Sequence, residues 1–186
     1  MFHSIRFWRN YGIIVSFLLL LSLLFQSGQI FEAVPSFEEE IIWKTYPFPN
    51  EHFQIAFPST TSIQPIPVGG EVLYNLRFVD GKGRFHGLIQ RWKIEDLQKF
   101  VTEAKIHGEG LLSYNIKNYG KNDMSGILLE YEQQTPSGEV IAARDLFLRS
   151  KNKGEVYRIA FFVPKQAEKP WHKTVFDTMV STFKPI

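Results

Sequence analysis

The chain has 186 residues, no cysteine and a formal net charge of +2 from 21 basic and 19 acidic side chains. The absence of cysteine excludes disulfides, thiolate metal ligands, cysteine nucleophiles and lipid attachment through a cysteine thiol. The nearly balanced charge of mixed sign argues against a nucleic-acid-binding surface, and the length suffices for one domain with its own hydrophobic core.

An apolar run near the start of the chain predicts export across a membrane. The run extends over residues 13–25, Arg6 and Arg9 precede it, and no cationic residue follows before Lys44. Positive charge on the amino-terminal side alone is typical of segments whose flank stays in the cytoplasm while the apolar part enters the bilayer. We therefore expect the rest of the chain to lie on the extracytoplasmic side.

Two outcomes stay open for this segment. The run is shorter than the roughly 20 residues that span the hydrocarbon core, as is typical of a cleaved signal peptide that leaves a secreted product. Trp8 and Tyr11 are typical of interfacial anchors, and no Ala-x-Ala-like cleavage site follows, which favours a retained single-pass helix in the cell membrane. The predicted organisation is an N-terminal hydrophobic helix acting as a signal anchor over residues 1–30, a polar stalk over residues 31–40 and an extracytoplasmic domain over residues 41–186.

Short runs of alternating apolar and polar residues predict a mainly antiparallel β-sheet after residue 40. Pro47 and Pro49 favour a turn, the proline-rich residues 59–70 a loop, and residues 80–83 a hairpin. The turns between the last four strands are too short for crossover helices, which predicts a four-stranded meander and excludes a doubly wound nucleotide-binding fold. The predicted strands are residues 41–46, 52–57, 72–79, 84–92, 111–119, 125–133, 139–149 and 155–163.

Two stretches have the period of an amphipathic helix instead. The first begins at Ile94 and is expected to end before Gly108, a residue typical of the position just past a helix. The second begins at Pro170, because proline is well tolerated in the first helical turn. Each apolar stripe is expected to cover a sheet face. The stripes are Ile94, Leu97, Phe100, Val101 and Ala104 in the first helix and Phe176, Met179, Val180 and Phe183 in the second.

Several segments of the second half resemble the PsbP family and its relatives with the Mog1/PsbP/DcrB-like fold. They are the polar hairpin of residues 129–138, the strand ending at residues 147–149, the Gly-x-x-Tyr strand of residues 153–163, Trp171 at the start of the last helix, and residues 179–183. The resemblance implies an α+β fold in which an antiparallel β-sheet is flanked by helices in α-β-α layers. It also implies a role without enzymatic activity, as an accessory or assembly factor of a membrane complex, photosystem II in the best-known branch. Because the chain keeps a hydrophobic N-terminal segment and lacks a thylakoid-targeting region, it is similar to an exported bacterial relative of that branch.

The sequence contains no motif typical of a catalytic or cofactor site. None of its histidines has the spacing of a zinc site, no serine lies in a Gly-x-Ser-x-Gly context, and residues 80–83 are too short for a phosphate-binding loop. We therefore predict no catalytic residue, no cofactor and no metal site, and no enzymatic activity. His172 could donate a single metal ligand, although a surface or helix-capping role is the simpler interpretation.

Charged residues alternate with apolar ones along several predicted strands. Arg144 and Arg158 are the low-grade candidates for ligand or partner contact, together with His172. Cross-strand salt bridges on a solvated face would explain these arginines, and a polar cleft for an anionic ligand or a partner peptide is the alternative. The other members of this set are Arg77, Arg91, Glu130, Glu132 and Asp145.

Two functional hypotheses follow from these observations. The first is a membrane-tethered, non-enzymatic interaction module that binds a protein partner in a membrane or envelope complex. The second is a binding protein of the cell envelope for a small anion or a metal. Neither hypothesis involves nucleic acid, and the oligomeric state stays open.

Overall fold

The structure is a computed structural model, and it describes residues 40–103, 110–121, 123–150 and 155–186. Within it, Ile41–Ile186 form one compact unit. The predicted N-terminal hydrophobic helix and residues 31–39 of the predicted stalk lie outside the described residues. Among the helices that are described, none is long and apolar enough to cross a membrane.

Ten strands and two α-helices make up the described unit, and two antiparallel sheets result. The larger sheet has seven strands in the order β3-β4-β5-β9-β8-β7-β6, and the smaller has the order β1-β2-β10. The elements are β1 (Trp43–Phe48), β2 (Phe53–Pro58), β3 (Thr61–Pro65), β4 (Val72–Asp80), β5 (His86–Lys93), α1 (Leu97–Glu103), β6 (Leu111–Lys121), β7 (Met124–Gln134), β8 (Val140–Ser150), β9 (Glu155–Pro164), α2 (Pro170–Thr182) and β10 (Lys184–Pro185).

The predicted meander is confirmed, because β6, β7, β8 and β9 pair in sequence as antiparallel neighbours. The loop predicted over residues 59–70 is wrong in part, since Thr61–Pro65 pairs with β4, and the turn predicted at Pro47 lies inside β1. Both strands are sheet edges, where a proline without an amide hydrogen costs no ladder hydrogen bond. The short strand β10 was not predicted.

Helix α1 begins at Leu97 instead of Ile94. The side chain of Asp96 explains the difference, because its Oδ1 accepts a hydrogen bond from the Lys99 amide at 2.9 Å and thereby caps the helix. Ile94 is still buried, in the cluster formed under α1. The predicted end of this helix, Ala104 to Gly108, lies outside the described residues.

The two helices cover opposite faces of the seven-stranded sheet. Helix α1 lies over one face, where Val101 packs with Ile127 and Phe147. Helix α2 and the small sheet cover the other face, where Phe53 and Phe183 stack with ring centroids 5.6 Å apart. A buried aromatic side chain contributes roughly 1.5–3 kcal/mol, so this second, phenylalanine-rich layer supplies most of the apolar stabilisation.

A buried carboxylate fixes the hairpin that joins β4 to β5. Asp80 is fully buried and accepts hydrogen bonds from Thr60 Oγ1 at 2.9 Å and from Arg84 Nε at 2.7 Å. It also accepts the backbone amides of Lys82 and Arg84, each at 3.2 Å. Although burial raises the pKa of Asp80, the hydrogen bonds from Arg84 and Thr60 outweigh it and lower the pKa to about 2.

This carboxylate predicts an acid-sensitive part of the stability. A group whose folded pKa is depressed stabilises the fold above its unfolded pKa of 3.8 and loses that contribution as the pH falls toward 2. We expect Asp80→Asn to lower the free energy of unfolding at pH 7 by about 2 kcal/mol, and the gap to the unsubstituted chain to narrow between pH 4 and pH 2. Urea denaturation at each pH measures the free energy of unfolding of both chains. A difference in the free energy of unfolding that stayed constant between pH 4 and pH 2 would contradict a lowered pKa of Asp80.

Candidate functional site

The three candidate residues occupy three different environments. Arg144 lies on β8, Arg158 on β9 and His172 in the first turn of α2. In the register between the strands, Arg144 is opposite Phe161 and Arg158 is opposite Phe147. Because successive side chains of a strand alternate between faces, the two arginines point to opposite sides of the sheet. They therefore cannot form one site.

Arg158 belongs to a closed ion pair on the face covered by α1. Its Nε donates to Asp145 Oδ1 at 2.8 Å, its Nη1 donates to Gln90 Oε1 at 3.0 Å, and its guanidinium lies 5.5 Å from the centroid of the Phe147 ring. Asp145 is only 1% exposed. Burial lowers the pKa of Arg158, but the charge and hydrogen bonds of Asp145 raise it overall. With every guanidinium nitrogen engaged, Arg158 stabilises the fold.

Tyr131 lies beside this ion pair and has a raised pKa, chiefly because it is buried. Burial, and then the negative charge of Asp145, raises the pKa of Tyr131 to about 12, while the nearby Arg158 opposes the shift. The phenol therefore stays protonated at any physiological pH. It packs against the apolar cluster under α1 as a neutral side chain.

His172 caps the helix in which it lies. It is 1% exposed, and its Nδ1 accepts a hydrogen bond from the Lys169 amide at 2.9 Å. The imidazole stacks on Trp171 with ring centroids 3.6 Å apart. Burial lowers the pKa of His172, so the ring is neutral near pH 7. The described residues hold no group of three His, Cys, Asp or Glu side chains that could bind a metal ion.

Arg144 is different, because it lines an open cleft of about 330 Å³. The cleft lies on the face that α2 covers elsewhere, at the end of β6, β7 and β8 where the helix is absent. Helix α2 runs diagonally from the β4–β5 hairpin, where Trp171 meets Phe85, to the end of β6, where Lys121 Nζ donates to the Val180 carbonyl at 2.8 Å. The opposite corner of that face is left as the cleft.

Charged side chains from three segments meet in this cleft. Arg144 Nη2 donates to Glu168 Oε1 at 2.9 Å, and Arg144 Nε lies 3.9 Å from Glu130 Oε1. Lys165 Nζ contacts Glu132 Oε1 at 2.8 Å and Glu168 Oε2 at 2.9 Å. The hydrogen bond from Lys165, assisted by Arg144, lowers the pKa of Glu168 despite its burial. Lys165 has its own pKa raised by the hydrogen bonds to Glu132 and Glu168.

The cleft and its border are balanced in charge. Lys117 on β6 forms an ion pair with Glu130, so three cations face three carboxylates. One donor is left over, because Arg144 Nε is buried without a hydrogen-bond partner. The cleft can thus exchange its internal ion pairs for contacts to a partner that carries both signs of charge.

Sequence reasoning missed two of these residues. The strand pattern predicts Glu130, Glu132 and Arg144 as charged strand residues, and the register places Glu130 directly opposite Arg144. Lys165 and Glu168 come from the short turn after β9, whose position over the sheet depends on tertiary packing. No local sequence pattern could have assigned them to the cleft.

The Arg158–Asp145 pair predicts a large loss of stability when one partner is removed. We expect Asp145→Ala to cost about 3–5 kcal/mol, because it leaves a half-buried guanidinium without its counter-charge. Asp177→Ala is the control, since Asp177 pairs with Lys173 on an exposed helix face and its loss is expected to cost less than about 1 kcal/mol. Urea denaturation of the full-length chain compares the two. Equal losses would show that Arg158 does not depend on Asp145.

The described domain is similar in structure to proteins of two kinds. Cyanobacterial PsbP (CyanoP) from Synechocystis sp. PCC 6803 aligns with a TM-score of 0.52 and 16% identity over 77% of this chain and 92% of that one. The Ran-binding protein Mog1p of Saccharomyces cerevisiae aligns with a TM-score of 0.51 and 11% identity over 78% and 96%. A point mutant of protein Mog1 gives a TM-score of 0.54 and 11% identity over 78% and 97%.

These similarities confirm the fold that the sequence resemblance implied. No protein-family model matches the chain, and no curated protein matches it in sequence. At these identities the likeness concerns architecture alone. The domain is an antiparallel β-sheet with two helices and has a PsbP/Mog1-like fold.

Proposed function

We propose that the domain is a non-enzymatic protein-interaction module, tethered to the cell membrane by its hydrophobic N-terminal segment and accessory to a membrane or envelope complex. The observation that carries this proposal is the cleft around Arg144, with its balanced and partly exposed charges. A partner protein that presents both acidic and basic side chains can replace these ion pairs one for one. Such an exchange gives specificity at little electrostatic cost.

The charge balance favours a protein surface over a small anion. An anion entering the cleft would approach Arg144 and Lys165, but it would also face Glu130, Glu132 and Glu168. The negative charges of these carboxylates would repel the anion and oppose its binding in a partly desolvated site. A protein partner avoids this conflict because its own cations can contact the carboxylates.

The residues of the cleft also support a role without catalysis. Its described lining contains neither imidazole nor thiol, and the lowered pKa of Glu168 is the opposite of what a general acid requires. One of the structurally similar proteins is a Ran-binding protein, so this fold is compatible with protein recognition. The sequence resemblance to accessory factors of membrane complexes agrees with the same role.

A small-anion binding protein is the second candidate. The observation in its favour is the buried Arg144 Nε, which has no hydrogen-bond partner and lies in a cleft wide enough for a small molecule. A carboxylate or phosphate oxygen could accept a hydrogen bond from the N–H at Arg144 Nε. The metal version of this hypothesis has no donor cluster among the described residues to support it.

Site-specific photocross-linking tests the interaction proposal. A photoreactive residue in place of Lys165, on the full-length chain in the cells that make it, is expected to give one dominant protein adduct. Lys173 is the matched control position, because it is exposed on the outer face of α2, away from the cleft. Arg144→Ala is expected to reduce the Lys165 adduct several-fold, since it removes the central cation of the cleft.

The same variant separates the two candidates. Thermal unfolding in inorganic phosphate is expected to show no saturable shift for the unsubstituted chain. A saturable shift that disappears in Arg144→Ala, without a specific adduct at Lys165, would favour the anion-binding candidate and contradict the interaction module.

Membrane tethering predicts a simple fractionation result. The full-length chain is expected to stay in the membrane pellet after alkaline carbonate washing, and its C-terminal domain is expected to be accessible to protease only from the extracytoplasmic side. A version lacking residues 1–30 is expected in the soluble fraction. An intact chain found free in the cytosol would contradict both the tether and the orientation.

A further inference from the structure

The ring of His172 is enclosed at the point where α2 begins. His172 is 1% exposed although it lies in the first turn of the helix, and its ring stacks on Trp171. Trp171 in turn meets Phe85 on the β4–β5 hairpin, edge to face, with ring centroids 6.3 Å apart. The stacked pair therefore helps to hold the start of α2 on the sheet.

One contact of this ring requires that the ring is neutral. Nδ1 of His172 lies 2.9 Å from the Lys169 amide and 3.3 Å from the Lys169 carbonyl, and the shorter contact assigns it the role of acceptor. In a capping box the third helical residue accepts a hydrogen bond from the N-cap amide, and His172 occupies that position. A proton on Nδ1 would place two N–H donors against each other. A charged ring therefore cannot keep this contact.

The surroundings of His172 favour the neutral ring. Burial has the largest effect and lowers the pKa of His172, and the positive charge of Arg144 on β8 acts in the same direction. The backbone of Lys169, the backbone of Arg84 and the negative charge of Glu168 oppose the shift without cancelling it. A proton on the ring is therefore disfavoured as long as the ring stays buried.

Two further features oppose a positive charge at this place. The first turn of a helix is the positive end of the helix dipole. The Trp171 ring could attract a cation, but the Arg84 guanidinium already lies 5.0 Å from its centroid and is paired with Asp80. The ion pair of Lys173 and Asp177 on α2 itself lies on the exposed outer face. Protonation therefore favours a state in which the ring reaches water.

The residue that His172 caps adjoins the wall of the Arg144 cleft. Glu168 immediately precedes Lys169, and its Oε1 accepts a hydrogen bond from Arg144 Nη2 at 2.9 Å. Lys165 lies three residues before Glu168 and contacts its Oε2 at 2.9 Å. A displacement of Lys169 would therefore move both charged side chains that the turn after β9 contributes to the cleft.

We propose that His172 is an acid-sensitive latch, whose protonation releases the start of α2 from the sheet and withdraws Lys165 and Glu168 from the Arg144 cleft. The inference rests on the interaction role proposed above and concerns its regulation: the partner is bound near neutral pH and released in acid. A histidine whose pKa is lowered in the closed state stabilises that state above its open-state pKa of 6.5 and loses this contribution as the pH falls below it. The ratio of open to closed molecules then rises up to about tenfold for each pH unit.

A spin label at the start of α2 measures the release. The chain has no cysteine, so Lys169→Cys introduces a single thiol for a nitroxide at an exposed position. Electron paramagnetic resonance of the full-length chain in detergent is expected to show an immobile label at pH 7.5 and a growing mobile fraction between pH 6.5 and pH 5. Ser181→Cys, in the exposed last turn of the same helix, is the control position and is expected to show no such change.

Two histidine variants identify the titrating group. His172→Gln is expected to abolish the mobile fraction at pH 5, because glutamine at this position can accept the N-cap amide and does not titrate. His86→Gln is the matched control, since burial also lowers the pKa of His86 and its side chain shares a strand face with Gln90, under α1. It is expected to leave the transition unchanged. Urea midpoints at pH 7.5 verify that both variants fold.

The photocross-link from position 165 tests the effect on the cleft. In isolated membranes we expect the adduct to fall several-fold from pH 7.5 to pH 5, and His172→Gln to keep it at both pH values. A label that stays immobile at pH 5, or a transition that persists in His172→Gln, would overturn the latch. An adduct that is unchanged while the label becomes mobile would overturn its coupling to the cleft. A transition that His172→Gln abolishes, without any adduct at either pH, would support the release of α2 and contradict the interaction role.

Discussion

The register of β7, β8 and β9 is the constraint on which both charged regions of the domain depend. Arg144 and Asp145 are neighbours in sequence, but the alternation of side chains sends Arg144 to the open cleft and Asp145 into the buried pair with Arg158. A slip of one residue would exchange their faces and break both sets of ion pairs. The tight turn of residues 135–138 fixes this register locally, and the apolar residues on both faces fix it globally.

The path of α2 determines which part of its sheet face stays uncovered. A helix of 13 residues is about 20 Å long, whereas strands of 11 residues extend about 36 Å, so one such helix cannot cover the sheet. The small sheet fills one of the remaining corners through Phe53 and Tyr157, whose ring centroids are 6.0 Å apart. The other corner stays uncovered and is lined by polar residues, which form the cleft.

Much of this architecture could be predicted from local patterns. Period-two alternation and short turns predicted the meander, and Pro170 predicted the first residue of α2, because these signals act within a few residues. The edge strand Thr61–Pro65 was missed because a sequence does not show which strands are edges, and only an edge tolerates its proline. The pairing of β5 with β9, which brings Gln90 to Arg158, joins distant segments and has no local signal.

The absence of a local signal for tertiary contacts also explains why the three candidate residues could not be told apart from the sequence. Arg144 and Arg158 are predicted from charged side chains on partly apolar strand faces, and His172 from a histidine that could donate one metal ligand, and neither criterion separates a satisfied buried group from an available one. The structure separates them by their surroundings: Arg158 and His172 hold hydrogen bonds within the core, whereas Arg144 lines the open cleft.

The buried Arg158–Asp145 pair and the partly exposed ion pairs of the cleft differ in what it costs to break them. Breaking the Arg158–Asp145 pair would leave a charge in a poorly solvated place, so that pair is rigid and serves folding. The cleft pairs include Lys165, whose side chain is 44% exposed, and water can solvate it when Glu132 or Glu168 turns to another partner. Partly exposed ion pairs contribute little to stability and can be rearranged at low cost.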